Sequence, residues 1–417
     1  MTDNSKGRTA INSWGISLID DIKSPQRNSI AMGPFGSNIK KENFQAEGIP
    51  VIRGNNLKNS KFIDCDFVYI SDNLANQLSA SLARRLDIIL THRGTIGQVA
   101  IIPPDSKFNT YIVSQSQMKV TLDQTKCDPY FVYYFLRSEF GMSQFLSNSS
   151  QTGVPAIASP TSTLKSIKIP LPPLNEQKAI AKILSDLDAK IELNQKMNKT
   201  LEAIAQAIFK HWFIDFEFPN DEGRPYKSSG GEMVDSELGE IPKGWKIGGI
   251  KDIAKVKSGK RPIERSELKT ETFSVELIGA SSVMGYTKDY LFSENLVIIG
   301  RVGTHGVIQR TFRPSWPSDN TLVFITGNLE YIFQILKRVE YEALNVGSTQ
   351  PLITQSQMEN FEIIIPSKTI LDVFENLSMI IYKKISTTNV ESENLSSILS
   401  LLLPRLMSGK IRVPLED

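Results

Sequence analysis

A chain of 417 residues with 40% hydrophobic and 22% charged side chains can build two or three domains, each with its own core. It has no apolar run of the roughly 18 residues a membrane span needs, and its opening MTDNSKGRTA lacks the apolar core of a signal peptide, so a cytoplasmic protein is expected. A net charge of +2 does not by itself mark a nucleic-acid binder, and two cysteines without CxxC spacing, Cys65 and Cys127, argue against a disulfide or a zinc site.

Residues 14–170 read as mixed α and β. Short apolar or alternating runs at 49–53, 87–90, 98–102 and 118–122 predict strands, and 131–140 predicts a helix. Turn residues such as Gly33-Pro34-Phe35-Gly36-Ser37-Asn38 punctuate them. After Pro172-Pro173 the composition changes, and residues 174–213 contain neither glycine nor proline. Steps of four and three pick out Ile180, Leu184, Leu187, Ile191, Asn194, Asn198, Leu201, Ala205, Ile208 and Trp212, a heptad seam on a helix of roughly 55–60 Å. Its two asparagines would cost stability and fix register.

A polar, Gly/Ser-rich connector at 216–240 precedes a second mixed region, 243–366, with strands predicted at 296–299 and 321–325 and a helix at 331–339. Beyond Pro366 a second long helix is expected, with a weaker seam of Phe374, Leu377, Ile381, Thr388, Leu395, Ile398 and Leu402 that ends near Pro404. Two long helices with matching seams pair most simply with each other, antiparallel. The competing arrangement packs each helix on its own domain, and helices of this length overshoot such a domain.

The two halves match in detail. Gly94, Thr95 and Gly97 in DIILTHRGTIGQV fall on Gly303, Thr304 and Gly306 in LVIIGRVGTHGVI. Pro155 with Pro170 falls on Pro351 with Pro366 at equal spacing, and Trp14…Asp21-Ile22 falls on Trp245…Asp252-Ile253. A period of about 200 residues is too long for a solenoid and indicates duplication of a whole domain with its helix. The fold expected is α+β, with two globular domains of twisted sheet, two long helices in an antiparallel coiled coil, and a pseudo-two-fold repeat.

Catalytic signatures are missing. There is no GxxxxGK[ST] phosphate loop and no GxSxG elbow, and His92, His211 and His305 are too scattered for a metal cluster. Asp128-Pro129-Tyr130-Phe131 lacks the second proline of an amino-methyltransferase box. What remains is a binding chemistry. Residues 243–265 carry eight basic side chains against two acidic ones, enough to neutralise phosphates, although a solvated face would read the same way. The glycine loops at 93–97 and 302–306 are either turns that serve the fold or places where backbone approaches a phosphate. Candidates for phosphate positioning are Lys40, Lys41, Arg53, Arg93 and Thr95 in the first module, and Lys257, Lys260, Arg261, Arg301 and Thr304 in the second. Candidates for base edges are Asn55, Asn56, Gln115, Gln117, Ser318 and Asn320, because Asn and Gln can bond bidentately to adenine.

Four segments together resemble the specificity subunit of type I restriction–modification systems. They are IPLPPLNEQKAIAKILSDLDAKI at 169–191, IPKGW at 241–245, the Gly-Thr-x-Gly loops, and the closing LPRLMSGKI at 403–411. The resemblance spans almost the whole chain. It implies target-recognition domains at 1–172 and 241–366, spacer helices at 173–215 and 367–417, and a linker at 216–240. It also implies a non-catalytic subunit that reads a split, asymmetric site on double-stranded DNA. Two modification subunits would bind the helices and methylate adenine with S-adenosylmethionine, and two motor–nuclease subunits would use ATP and magnesium. The chain itself would need no cofactor and touch no membrane. A stand-alone methyltransferase and a protein-binding scaffold are the competing classes.

Overall fold

A computed structural model describes residues 14–35, 38–58, 61–150, 153–302, 307–344 and 352–414. The chain forms two compact units. One comprises Met1–Glu192 with Ser392–Asp417, the other Leu193–Glu391. Each therefore holds one β-module, the first half of the long helix that follows it, and the last half of the other long helix.

In the first unit a four-stranded antiparallel sheet is ordered Ile30–Met32, Gln117–Val120, Ile88–Thr91, Val99–Ile101. A second four-stranded sheet is ordered Val68–Ile70, Ile49–Ile52, Thr110–Val113, Leu82–Arg84, with Thr110–Val113 parallel to Ile49–Ile52. The second unit repeats the first of these sheets strand for strand: Lys255–Ser258, Thr321–Ile325, Leu296–Gly300, Ile308–Thr311. Its other sheet keeps the parallel pair, Val275–Ile278 with Trp316–Pro317, but has three strands. An antiparallel pair closes each module, Gly15–Leu18 with Lys168–Leu171 and Lys246–Gly249 with Glu362–Ile365. The duplication read from the sequence is thus a duplication of topology.

The central strands read as unbroken apolar runs because both of their faces are covered. Successive side chains point to opposite faces. Ile88 and Leu90 enter the large core beside the helices, while Ile89 enters the smaller one with Ala100, Tyr111 and Val113. Val297 and Ile299 divide from Leu296 and Ile298 in the same way. The helix expected at 131–140 is two helices, Pro129–Arg137 and Glu139–Leu146. Asp128 accepts from Phe131 N (2.9 Å) to start the first, and Ser138, in extended backbone, accepts from Gly141 N (3.2 Å) to start the second. The helix expected at 331–339 is Leu329–Leu336.

The long helices are Leu174–Phe213 and Lys368–Met407, each 40 residues. Their pairing is antiparallel within each unit. In the first, Ile180, Leu184 and Leu187 share a core with Leu399, Leu402 and Leu406. In the second, Leu201, Ala205 and Ile208 share one with Ile381 and Ile385. Asn194 Nδ2 donates to Glu391 Oε2 (2.9 Å) and Asn198 Nδ2 to Asn389 Oδ1 (2.7 Å), so the seam asparagines bridge the helices as expected. Ile191 is buried and Leu395 half-buried on the same seam. Two expected seam positions need correction. Leu377 and Ile398 are exposed, at 37% and 44%, and Ser378 and Leu399 occupy the seam instead. Strict alternation of four and three from Phe374 lands on Ser378; the choice of Leu377 followed hydrophobicity where the geometry selected a serine.

Polar anchors fix the modules to the helices. In the second unit Arg310 lies between the rings of Phe333 and Tyr382, 3.8 Å from each centroid, and pairs with Glu330 (2.7 Å) and with Glu202 of the first long helix. In the first, Tyr134 donates to Asp188 Oδ2 (2.9 Å), which also pairs with Arg137. The connector is anchored too, since Phe218 stacks on Trp245 (4.9 Å) and on Tyr226 (4.5 Å).

Glu375 of the second long helix accepts from the backbone N–H groups of Tyr331 (2.8 Å) and Glu330 (3.1 Å) at the start of a helix. Burial nevertheless pushes its carboxyl up from 4.5 to about 7. A carboxyl raised on folding favours the folded state below its ordinary value, and that contribution fades as pH climbs through 7. Glu375→Gln loses one of the two acceptors but cannot titrate, so its melting temperature is expected to fall between pH 5 and pH 8 by about 2–4 °C less than the parent's. Calorimetry at the two pH values checks this; a larger fall in the variant would reverse the assignment.

Candidate nucleic-acid interface

The glycine loop of the first module is a tight turn with Gly94 at φ 83° and Gly97 at φ 85°. It is tied to the downstream proline bracket. Gly94 N donates to Pro155 O (2.8 Å), Ile157 N to His92 O (2.9 Å), and Arg93 bridges to Ala156. In the second module Val302 bridges to Leu352 and Ile353 N donates to Arg301 O (3.0 Å), so the repeated loop and the repeated bracket are one device. Thr304 and the other residues at 303–306 lie outside the described residues. Arg93 and Thr95 stand exposed on the first loop.

Behind the loop runs a chain of side-chain hydrogen bonds. Gln98 Nε2 donates to Gly54 O (3.2 Å) and Leu57 O (2.6 Å), and its Oε1 accepts from Thr91 Oγ1 (2.9 Å). Gln117 Nε2 donates to the same Thr91 hydroxyl (3.2 Å), and Ser114 completes the chain by donating to Gln117 Oε1. This network joins the turn at Gly54–Asn56, the strand Ile88–Thr91 and the polar tract at 114–117. It also sorts the candidates for base edges.

Three of those candidates are frame. Gln117 is 1% exposed within the network, Asn56 is 0% exposed and donates to Ile63 O (3.1 Å) and Cys65 O (2.9 Å), and Ser318 is 2% exposed. Their near neighbours Asn55, Gln115 and Asn320 are exposed. In each polar tract, then, one residue is turned inward and another outward to solvent; Gln117 and Asn56 bond the loops, while the buried Ser318 hydroxyl has no partner among the described residues.

The cationic candidates divide in the same way. Lys40, Lys41, Lys257, Lys260 and Arg261 are exposed. Lys40 lies 3.5 Å from Glu42, and Lys257 Nζ lies 5.9 Å from the Phe292 ring centroid. Arg53 and Arg301 are half-buried: Arg53 Nη2 donates to Asp66 O (3.4 Å) and Arg301 Nη1 to Ser258 Oγ (3.1 Å), so both brace loops. Within the second module the structure gathers Arg261, Ile263, Arg265, Met284, Asp319 and Asn320 around an open cavity of about 420 Å³. Sequence reading had not selected Gln98, Arg265 or Asp319. Gln98 stands directly before the apolar strand Val99–Ile101 and only its fold neighbours reveal it, whereas Arg265 is visible as part of the basic run.

Among the described residues no cluster of three His, Cys, Asp or Glu side chains could hold a metal ion, and no helix is long and apolar enough to cross a membrane. Both cysteines are free, and burial pushes the Cys127 thiol up to about 12.

A twice-built β-module with a polar, cation-flanked loop edge, mounted on paired long helices, defines a two-module recognition protein. Residues 36–203 and 242–391 both match the model of the type I restriction modification DNA specificity domain, and the chain belongs to that family. It is 29% identical over 437 aligned positions to the type I restriction enzyme MjaIX specificity subunit of Methanocaldococcus jannaschii, covering 96% of this chain and 94% of that one. It is 24% identical to the type I restriction enzyme HindI specificity subunit of Haemophilus influenzae, covering 91% and 98%. A crystal structure of the type I restriction–modification S subunit from M. genitalium superposes with a TM-score of 0.59 at 18% identity, over 97% of this chain and 99% of that one, and shares the fold.

The division into frame and edge is checked by denaturation. Gln117→Ala is expected to destabilise the first unit by about 1–3 kcal/mol, because it strands buried partners. Gln115→Ala is expected to stay within about 0.5 kcal/mol of the parent. Equal losses at both sites would dissolve the distinction.

Proposed function

We propose that this chain is the specificity subunit of a type I restriction–modification complex, in which its two modules read the two halves of a split, asymmetric site on double-stranded DNA. The observation that carries this reading is the pairing of a duplicated frame with dissimilar edges. The sheet topology and the tether to the proline bracket repeat, while Asn55 and Gln115 face solvent in one module and Asp319 and Asn320 in the other. Modules that share a frame but differ in their outward polar groups suit two different half-sites. Lys40, Lys41, Arg93 and Thr95 would position phosphates in the first, and Lys257, Lys260, Arg261 and Thr304 in the second.

The division of labour follows the sequence boundaries: recognition at 1–172 and 241–366, spacing at 173–215 and 367–417, with 216–240 as the join. The chain is not the catalyst. Two modification subunits supply S-adenosylmethionine and methylate adenine, and two motor–nuclease subunits supply ATP- and magnesium-dependent cleavage. Docking surface for such partners is available on the long helices, whose outward faces expose Leu193 (56%), Ile204 (44%), Ile380 (71%) and Leu401 (60%).

Sequencing methylated adenines in DNA exposed to the assembled complex should return one bipartite motif, and a complex that methylates without sequence preference would end the reading. Exchange of 14–170 for another recognition module should change one half-site only. One heptad added to each helix lengthens it by about 10 Å and should move the preferred spacing by about three base pairs or abolish binding. Lys260→Gln with Arg261→Gln should reduce the slope of log affinity against log salt by about 1–2. Ile380→Glu should reduce co-purification of the modification subunit and leave the melting temperature unchanged.

A further inference from the structure

Two large apolar side chains stand in solvent on equivalent loops of the repeat. In the first unit the strand Ile30–Met32 runs into Gly33-Pro34-Phe35, and Phe35 is 77% exposed. In the second, Lys255–Ser258 runs into Gly259-Lys260-Arg261-Pro262-Ile263, and Ile263 is 98% exposed. A lone exposed apolar residue needs no explanation. A pair in equivalent loops, two and four residues after equivalent glycines that are held in place, is a different matter.

The holding is specific. A Cβ on Gly33 would lie 1.9 Å from Ser114 O, and one on Gly259 would lie 2.2 Å from Ser318 O, so both turns are pressed against the backbone of the polar tract. Gly33 N donates to Gln117 O (2.8 Å), Gly259 N to Thr321 O (3.1 Å), and Lys260 N to Pro317 O (3.0 Å). A proline precedes each apolar residue and restricts its backbone further. The two tips are thus built onto the same tracts that present Gln115 and Asn320. Cations share both stretches of chain: Lys40 and Lys41 come five and six residues after Phe35, and Arg261 and Arg265 line a cavity with Ile263. Pro262, Ile263 and Met284 form the apolar part of the cavity that Arg261, Arg265 and Asn320 line.

An apolar tip with cations in the same stretch of chain complements a duplex, whose stacked bases are the apolar surface within a phosphate cage. We propose that Phe35 and Ile263 are paired wedges, each pressing against or between the bases of one step in its half-site while the neighbouring cations hold the phosphates. This rests on the DNA-reading role above and adds a mechanism to it. Part of the specificity comes from how readily a step unstacks, in addition to direct contacts with base edges. The wedges differ in kind, since the Phe35 ring can stack on an opened base and the branched Ile263 can only fill the gap.

The test uses the complex assembled with its modification subunits, on a duplex that carries the motif found by methylation sequencing, with 2-aminopurine placed in turn along both half-sites. The parent complex should brighten the probe at one step in each half away from the methylated adenine, which the modification subunit itself turns out of the stack. Phe35→Ala should abolish one signal, Ile263→Ala the other, and each should weaken binding about 5- to 100-fold. Both variants should keep the parent's salt slope and melting temperature, because neither side chain is packed. Phe35→Trp should restore the first signal, and Lys260→Gln should lower the salt slope and leave both signals intact. A parent complex that binds its motif without brightening the probe, or alanine variants that bind as tightly as the parent, would overturn the wedges and leave the reading role standing. A parent with no preference for the motif would overturn the reading role itself.

Discussion

The fold turns on the carboxylate of Glu176, which is 1% exposed near the start of the first long helix. Its oxygens accept from Arg412 Nε (2.5 Å) and Nη2 (2.8 Å), beyond the end of the second long helix, and from the indole of Trp14 (3.3 Å), which opens the first module. The Arg412 guanidinium also lies 5.5 Å from the Trp14 ring centroid, and Gly409 passes so close that a Cβ there would touch the indole at 3.4 Å. A buried carboxylate persists only when it is paired. Three pieces of chain separated by hundreds of residues must therefore meet before the first unit is complete.

The second unit meets the same requirement with rings. Trp245 opens its module, and the chain leaving the first long helix closes over it: Phe213 at 5.9 Å, Phe216 at 5.8 Å and Phe218 at 4.9 Å between centroids. Each module's opening tryptophan is thus capped by the tail of the helix that belongs to the other repeat. Neither module finishes its core from its own repeat: the tail of the second long helix closes the first, and the tail of the first long helix closes the second.

Much of this was legible because it rests on periodicity. The seam of the first helix could be read position by position, since it keeps the four-three rhythm with only Asn194 and Asn198 standing at apolar places. The second could not, because Ser378 and Thr388 sit buried in it while Ile380 and Ile398 face outward; hydrophobicity and geometry part company there, and geometry decides. The central strands were visible as apolar runs, but their short partners at Leu57–Lys58 and Lys61–Phe62 carry no such signal. In the candidate interface, residue type was readable and direction was not. Asn55 and Asn56 are adjacent and chemically identical, and only the turn at Gly54–Asn56, which aims Asn56 at two carbonyls, separates frame from edge. The capping of Trp14 by Arg412 was beyond reach for a related reason: nothing local links position 14 to position 412.

The same separation explains how such a molecule can acquire a new target without losing its fold. A change at Gln117 or Asn56 breaks a buried network, so its cost falls on stability. A change at Gln115, Asn55 or Asn320 breaks nothing inside, so its effect falls on whatever faces it. The two copies have already diverged along this line. Their sheets keep one strand order and their glycine loops one tether to the proline bracket, while Ser-Gln-Ser-Gln stands in one tract where Ser-Asp-Asn-Thr stands in the other. Because inward and outward residues lie one or two positions apart on the same rigid turn, an edge can be rewritten residue by residue while the turn keeps its place. On the proposed reading, specificity in this architecture is carried by the residues on which the fold depends least.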